Sequence, residues 1–399
     1  MDKFSLRTGP AFIITAAFIG PGSLTVCALA GVDFGFELLW AVLFSCLITI
    51  FLQNIVAGLS HKYNLGLIEL LKKKVYGKRL KSFFIGYILL TIFFGNTAYQ
   101  AGNISGSLIG LNKLLEIITP EFSRLINPFL LLIIGVILIS IILKQNIKLL
   151  KTILGIAVLL MSVSFLIAAI LTKPNLNDLL YGFFIPRWRP ETWSTIVAVL
   201  GTTIVPYNLF LHAWLVKKER SKNINFDSFK KDTIIAVSFG GIISTSIVIA
   251  AAGANINELV SIDDLGTSLH NLYGQKSELF ISLGLFSAGL SSALTAPLAA
   301  AFIVQESLNE YSSKRKLQII VPILIIVSGL IFTFLDSNPF NLIRLAQILN
   351  GLMLPGITLF ISYLYFSVQK NSFDFKIRIF GLLLLFLFFT FLAFKILFL

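Results

Sequence analysis

Long apolar runs alternate with short polar connections along the whole chain, and the runs set its architecture. A helix that crosses a bilayer needs about 20 mostly apolar residues. By that measure the pattern predicts eleven spans: 9–31, 37–59, 83–111, 127–144, 149–172, 193–215, 233–253, 278–305, 318–336, 341–367 and 376–398. The longest connections, around 60–82, 173–192 and 254–277, have room for a short helix but not for a soluble domain. One of them, "IELLKKKVYGKRLK" (68–81), predicts a basic helix lying at the membrane surface. Residues 1–399 therefore read as a single transmembrane unit.

Two spans carry breaks. The first holds Gly20-Pro21-Gly22-Ser23 near its centre, and the sixth holds Pro206 within "LGTTIVPYNLFLHAW" (200–214). Pro removes a backbone donor and Gly loosens the chain, so an anchoring helix avoids both. Spans one and six hold equivalent places in two five-helix halves, 1–5 and 6–10. Matched breaks of this kind point to an inverted-repeat transporter with its site at the midplane. The expected boundaries are about 9–172 for the first repeat, 193–367 for the second and 376–398 for an added helix. Each break frees carbonyls at the end of one half-helix and N–H groups at the start of the next. Lipid does not tolerate such groups, whereas a hydrated cavity does.

Composition strengthens the membrane reading. The chain is 56% hydrophobic and 13% charged, about half the charge of a soluble protein. A net charge of +13 is compatible with nucleic acid, but basic cytoplasmic loops account for it better, and no nucleic-acid partner is expected. With the N-terminus cytoplasmic, the inner connections hold three times as many of the 32 Lys and Arg as the outer ones. This predicts a multi-pass protein of the cell membrane, N-terminus in and C-terminus out. The start "MDKFSLR" with Ala28-Leu29-Ala30 resembles a secretory signal, but the break at 20–22 and the length of the run argue against cleavage. Cys27 and Cys46 lie in apolar spans without metal-type spacing. No Asp or Glu falls at the expected midplane of any span.

Pieces in order along the chain resemble the Nramp family of proton-coupled divalent-metal transporters. "GPAFI" (9–13) with "GPGS", "AGVDFGFELLW" (30–40) and "LQNIVAGL" (52–59) match its first two helices. "GSLIGLNKLL" (106–115), "LGTTIVPYNLFLH" (200–212), "GLSSALTAPLA" (289–299) and "LAQILNGLMLPG" (345–356) match its third, sixth, eighth and tenth. The resemblance implies an all-α membrane protein of LeuT-type fold, working by alternating access with no cofactor. It fails at the chemistry. The family's first break reads Asp-Pro-Gly-Asn, where this chain has Gly20 and Ser23 at the ligand positions. Its Met-Pro-His in the sixth helix is replaced by Val205-Pro206-Tyr207. Acidic residues of the third helix align with Gln100 and Asn103, and the Gln before the serine pair aligns with Leu290. Pro21, Gly22, Pro206, Asn208, His212 and Gln347 remain.

The expected substrate follows from what is missing. The midplane offers no anion and no thioether, so no metal-ligand set is assigned. A divalent ion stripped of water would be poorly neutralised, at an idealised cost on the order of tens of kcal/mol. Two half-helix N-termini suit a carboxylate, and Gly20 and Gly22 remove side-chain bulk. The first expectation is therefore a small organic solute, an amino acid or organic acid, bound by Gly20, Pro21, Gly22, Ser23, Val205, Tyr207, Asn208 and Gln347. Gln100, Asn103, His212 and Asn350 line the cavity or couple ion movement. The runner-up is a divalent metal transporter using backbone carbonyls with Ser23, Asn208 and Gln347. A non-transporting sensor is a third reading. An enzyme is not expected, because His212, the titratable residue of the midplane, has no carboxylate partner there.

Overall fold

A computed structural model gives the fold of residues 19–119, 127–144, 148–220, 225–254, 258–259, 261–308, 314–335, 338–368 and 373–398. The stretch 9–18 of the first expected span lies outside these described residues. The elements are α1 Pro21–Phe34, α2 Leu39–Tyr63, α3 Leu67–Lys74, α4 Lys78–Ile118, α5 Asn127–Lys144, α6 Lys148–Leu171, α7 Leu176–Phe184 and α8 Trp193–Thr203. They continue with α9 Pro206–Arg220, α10 Phe226–Ala252, α11 Ile262–Thr267, α12 His270–Tyr273, α13 Ser277–Leu308, α14 Lys314–Leu335, α15 Pro339–Val368 and α16 Phe373–Phe398. Among the described residues every regular element is helical. Helices stand at all eleven predicted spans, the first from its break onward and the sixth as α8 followed by α9.

The packing carries the two-fold logic of the sequence. α1 lies against α10, and α9 lies against α2. Exchanging span one with six and two with seven turns the first contact into the second. In the same way α6 on α13 (spans five and eight) answers α15 on α4 (ten and three). The most extensive contact joins α4 to α13, spans three and eight, which the exchange maps onto each other. The halves are thus related as inverted repeats, and α16 stands outside the exchange, packed on α15 and α8.

Outside the bundle, short segments tie the spans together. Glu37 pairs with Arg187 Nη1 at 3.0 Å and with Arg189, joining the first turn to the connection before α8. In that connection Trp188 packs on Trp40, with ring centroids 4.8 Å apart, and on Phe388 at 6.3 Å. The expected surface helix is shorter than predicted: α3 ends at Lys74, and residues from Lys78 onward belong to the long α4.

The α3 end of the bundle holds a charged latch. Glu69 caps the start of α3, accepting from the Gly66 N–H at 3.1 Å, and pairs with Lys217 of α9 at 2.5 Å. Lys72 donates to the Glu306 carbonyl at 3.0 Å and to the Ser307 carbonyl. Burial pushes the Glu69 carboxyl upward, but the Lys217 bond and charge, the Gly66 N–H and Lys73 outweigh it and hold it below its ordinary value. A group with a depressed folded pKa contributes stability above its unfolded pKa and loses it as pH falls through the folded one. Glu69→Gln is therefore expected to lower the melting temperature at pH 7. The gap from wild type should close as pH falls below the ordinary carboxylate range, in paired thermal melts across pH.

Candidate functional site

Both breaks form where local chemistry requires them. α8 closes with the Ile204 N–H on the Leu200 carbonyl at 2.8 Å. Pro206 then supplies no donor and disfavours helical geometry at Val205. It restarts the helix at its first position, where the missing N–H costs nothing. At the other break Gly20 is extended, with φ −132° and ψ −171°, and Pro21 opens α1. The two half-helix starts, the end of α8 and the Gln347 turn of α15 form one buried region, because α1, α8 and α15 are mutually in contact. The sequence-predicted residues Pro21, Gly22, Ser23, Val205, Tyr207, Asn208 and Gln347 are all buried there.

Three details alter the expected chemistry. Ser23 is largely spent on its own break: its hydroxyl donates to the Gly20 carbonyl at 3.0 Å and accepts from the Gly20 N–H at 3.0 Å. The glycines do not leave room. A Cβ on Gly22 would run into the Gln347 side-chain amide, so that space is already filled. A Cβ on Gly20 would lie 2.9 Å from Ser292 Oγ and 3.7 Å from the Tyr99 hydroxyl. The expectation of enlarged volume at Gly20 and Gly22 is therefore corrected: neighbouring helices α15, α13 and α4 supply the bulk these residues lack.

The second group of candidates divides. Gln100 lies away from the breaks, its Nε2 donating to the Ala293 carbonyl of α13 at 3.1 Å and its stem packed against Gly329 of α14. Asn103 sits one turn along α4, with its carbonyl towards Gly289 and its Nδ2 without a protein partner. Asn350 lies one turn from Gln347, facing Gly95 with Met353 beside it. His212 is fully buried nearly two turns into α9, and neither ring nitrogen has a protein partner.

Tyr99 and Ser292 are not among the expected site residues. Tyr99 packs edge-on against Tyr207, centroids 5.6 Å apart at 64°. Tyr99 lies in the polar stretch "GNTAYQAGN" (95–103), whose amides draw attention from the aromatic between them. Ser292 reads as ordinary small-residue packing until α13 is placed beside the first break.

The donor set is neutral. Buried oxygens without a protein partner include Asn208 Oδ1, Gln347 Oε1 and Asn96 Oδ1. Buried polar atoms are normally satisfied, so the unpartnered amides beside the two helix breaks mark a place built for a polar occupant. Among the described residues no group of three or more His, Cys, Asp or Glu side chains is placed to hold a metal. An ion here would meet amide, hydroxyl and carbonyl oxygen.

Comparison with known proteins places this geometry. The family model described as natural resistance-associated macrophage protein-like (Nramp) matches residues 11–397. The natural resistance-associated macrophage protein 2 homolog of Dictyostelium discoideum is 26% identical over 380 residues, covering 89% of this chain and 57% of that protein. The chain thus spans little more than half the length of that relative. The divalent metal cation transporter MntH of Bacillus subtilis is 28% identical over 358 residues, covering 85% of this chain and 79% of its own. Among solved structures, the Eremococcus coleocola manganese transporter bound to an aromatic bis-isothiourea compound superposes with a TM-score of 0.73 at 18% identity, over 96% of this chain and 84% of that one. MhsT in complex with L-phenylalanine superposes at 0.61 and 17% identity, over 98% and 100%. The fold is of the LeuT type, and on a match that runs along nearly its whole length this chain belongs to the Nramp family of membrane transporters.

Proposed function

We propose that this transporter carries divalent metal cations through a neutral oxygen site. The ligands are Asn208, Gln347 and the carbonyls freed at the end of α8, with Ser23 bracing Gly20 at the first break. The carrying observation is the pair of buried, unpartnered amide oxygens, Asn208 Oδ1 and Gln347 Oε1, beside both breaks. The names of relatives such as MntH support a metal substrate. The organic-solute reading loses its main physical support, because the space at Gly20 and Gly22 is filled.

A neutral site cannot repay full dehydration of a divalent ion. The cation therefore keeps part of its water shell, as Mg²⁺ commonly does. With Val205 where the family has a thioether, soft transition metals hold no special advantage over hard ions. The bundle is set N-terminus in and C-terminus out, with repeats of about 9–172 and 193–367 alternating access around the breaks.

The test is saturable Mn²⁺ influx into proteoliposomes holding a metal-quenched fluorophore, under an inward-negative potential. Saturable influx is expected, and tenfold excess Mg²⁺ should cut it by at least half. Influx that excess Mg²⁺ leaves intact would overturn the neutral hard-donor site. No Mn²⁺ influx, with uptake of an amino acid or organic acid instead, would overturn the metal reading.

A further inference from the structure

A groove on the flank of the bundle has the form of a lipid site. It lies between α5, α9, α13 and α14 and has a volume of about 340 Å³. That falls in the range of small-molecule sites, which combine an apolar wall with a few placed polar groups. Here Leu294, Leu298 and Ile141 give the wall, and Trp214 and Phe302 give an aromatic floor. The two rings stack 4.0 Å apart at 14°. At one end stand Lys218, whose Nζ lies 5.2 Å from the Trp214 ring, and Gln318, which donates to Gln305 Oε1 at 3.3 Å.

The long axis matches one leaflet. From Leu294 to Phe302 the α13 helix rises by about 12 Å at 1.5 Å per residue. Half the hydrocarbon core of a bilayer is about 15 Å thick. The polar end is basic. Lys218 stands exposed in the last turn of α9, and Lys316 stands exposed in the first turn of α14. Tryptophan and lysine side by side are characteristic of the head-group level, and lysines beside a membrane attract anionic lipid.

We propose that this groove holds one anionic phospholipid, its acyl chain along Leu294, Leu298 and Phe302 and its phosphate at Lys218. The site matters for transport because its floor, Trp214, belongs to α9, the second half of the broken sixth span. A bound lipid ties that half-helix to α13 and α14. This inference is independent of the substrate assigned above.

The experiment is native mass spectrometry of the full chain taken from vesicles with equal phosphatidylglycerol and phosphatidylcholine. The wild type is expected to retain phosphatidylglycerol at least fivefold over phosphatidylcholine. Lys218→Gln, at an exposed position, should bring the ratio close to parity. Leu298→Trp, which fills the groove, should remove the bound lipid from protein that melts like wild type. Lys230→Gln, a basic residue elsewhere on the bundle, should leave the ratio unchanged. Equal retention of both lipids by the wild type would overturn the proposal. So would an equal fall with Lys230→Gln, which would mark unspecific attraction to basic loops. If Leu298→Trp does not fold, the contrast between Lys218→Gln and Lys230→Gln decides alone.

Discussion

Replacing Gly201 with alanine is expected to cut transport more than tenfold. Gly201 lies where α8 crosses α15, and the close approach there is backbone against backbone. A Cβ at this position would run into the Gln347 carbonyl and stand 2.6 Å from the Gly351 nitrogen. Neither atom can rotate away, so the two helices must separate. Overpacking of this kind costs about 1–3 kcal/mol and sometimes more. The displaced residue is also the one whose side chain fills the space beside Gly22, so the shift moves a proposed ligand off the first break. A loss of more than tenfold in metal influx is expected, with a lower melting temperature. Gly86→Ala is the control: no atom lies within 4 Å of where its methyl group would stand, and alanine favours a helix. Influx like wild type for Gly201→Ala would mean that the α8–α15 contact does not set the site.

The second large effect is at Gln347 itself. The residue is 1% exposed and its Oε1 has no protein partner. Gln347→Leu keeps most of the bulk packed against Gly22 and removes the oxygen. Loss of one buried polar interaction with a charged partner is worth about 1.5–3 kcal/mol. At 1.4 kcal/mol for each factor of ten, apparent affinity for the metal should fall roughly ten- to hundredfold. The fold should persist, because a buried amide without a partner contributes little to stability. Concentration-dependent Mn²⁺ influx, read beside a thermal melt, separates the two effects. A melting temperature that collapses together with influx would assign Gln347 a packing role and remove it from the ligand set.

Much of this architecture is legible in the sequence because bilayer thickness converts directly into a length of apolar chain. The eleven runs and the breaks at Gly20-Pro21 and Pro206 need no tertiary information. Gly, Pro and the apolar pattern act locally, and their meaning is fixed within one or two turns. The site is less legible. Gly22 reads as open space because the sequence cannot show that Gln347, more than 300 residues away, reaches across from α15. Ser23 reads as a ligand, whereas its hydroxyl is turned back on Gly20 within its own turn. Gln100 shares a helix with Tyr99 but faces α13 and α14, since adjacent residues on a helix point about 100° apart. Each of these depends on which helices meet, and that is settled by packing between the two repeats.

If neutral oxygens at the two breaks bind the cation, anomalous diffraction from Mn²⁺-soaked crystals will locate it there. One peak is expected between the breaks, within about 2.6 Å of Asn208 Oδ1 or Gln347 Oε1, as metal–oxygen contacts require. A peak only at surface carboxylates such as Asp178 or Asp374, with none between the breaks, would contradict a neutral oxygen site.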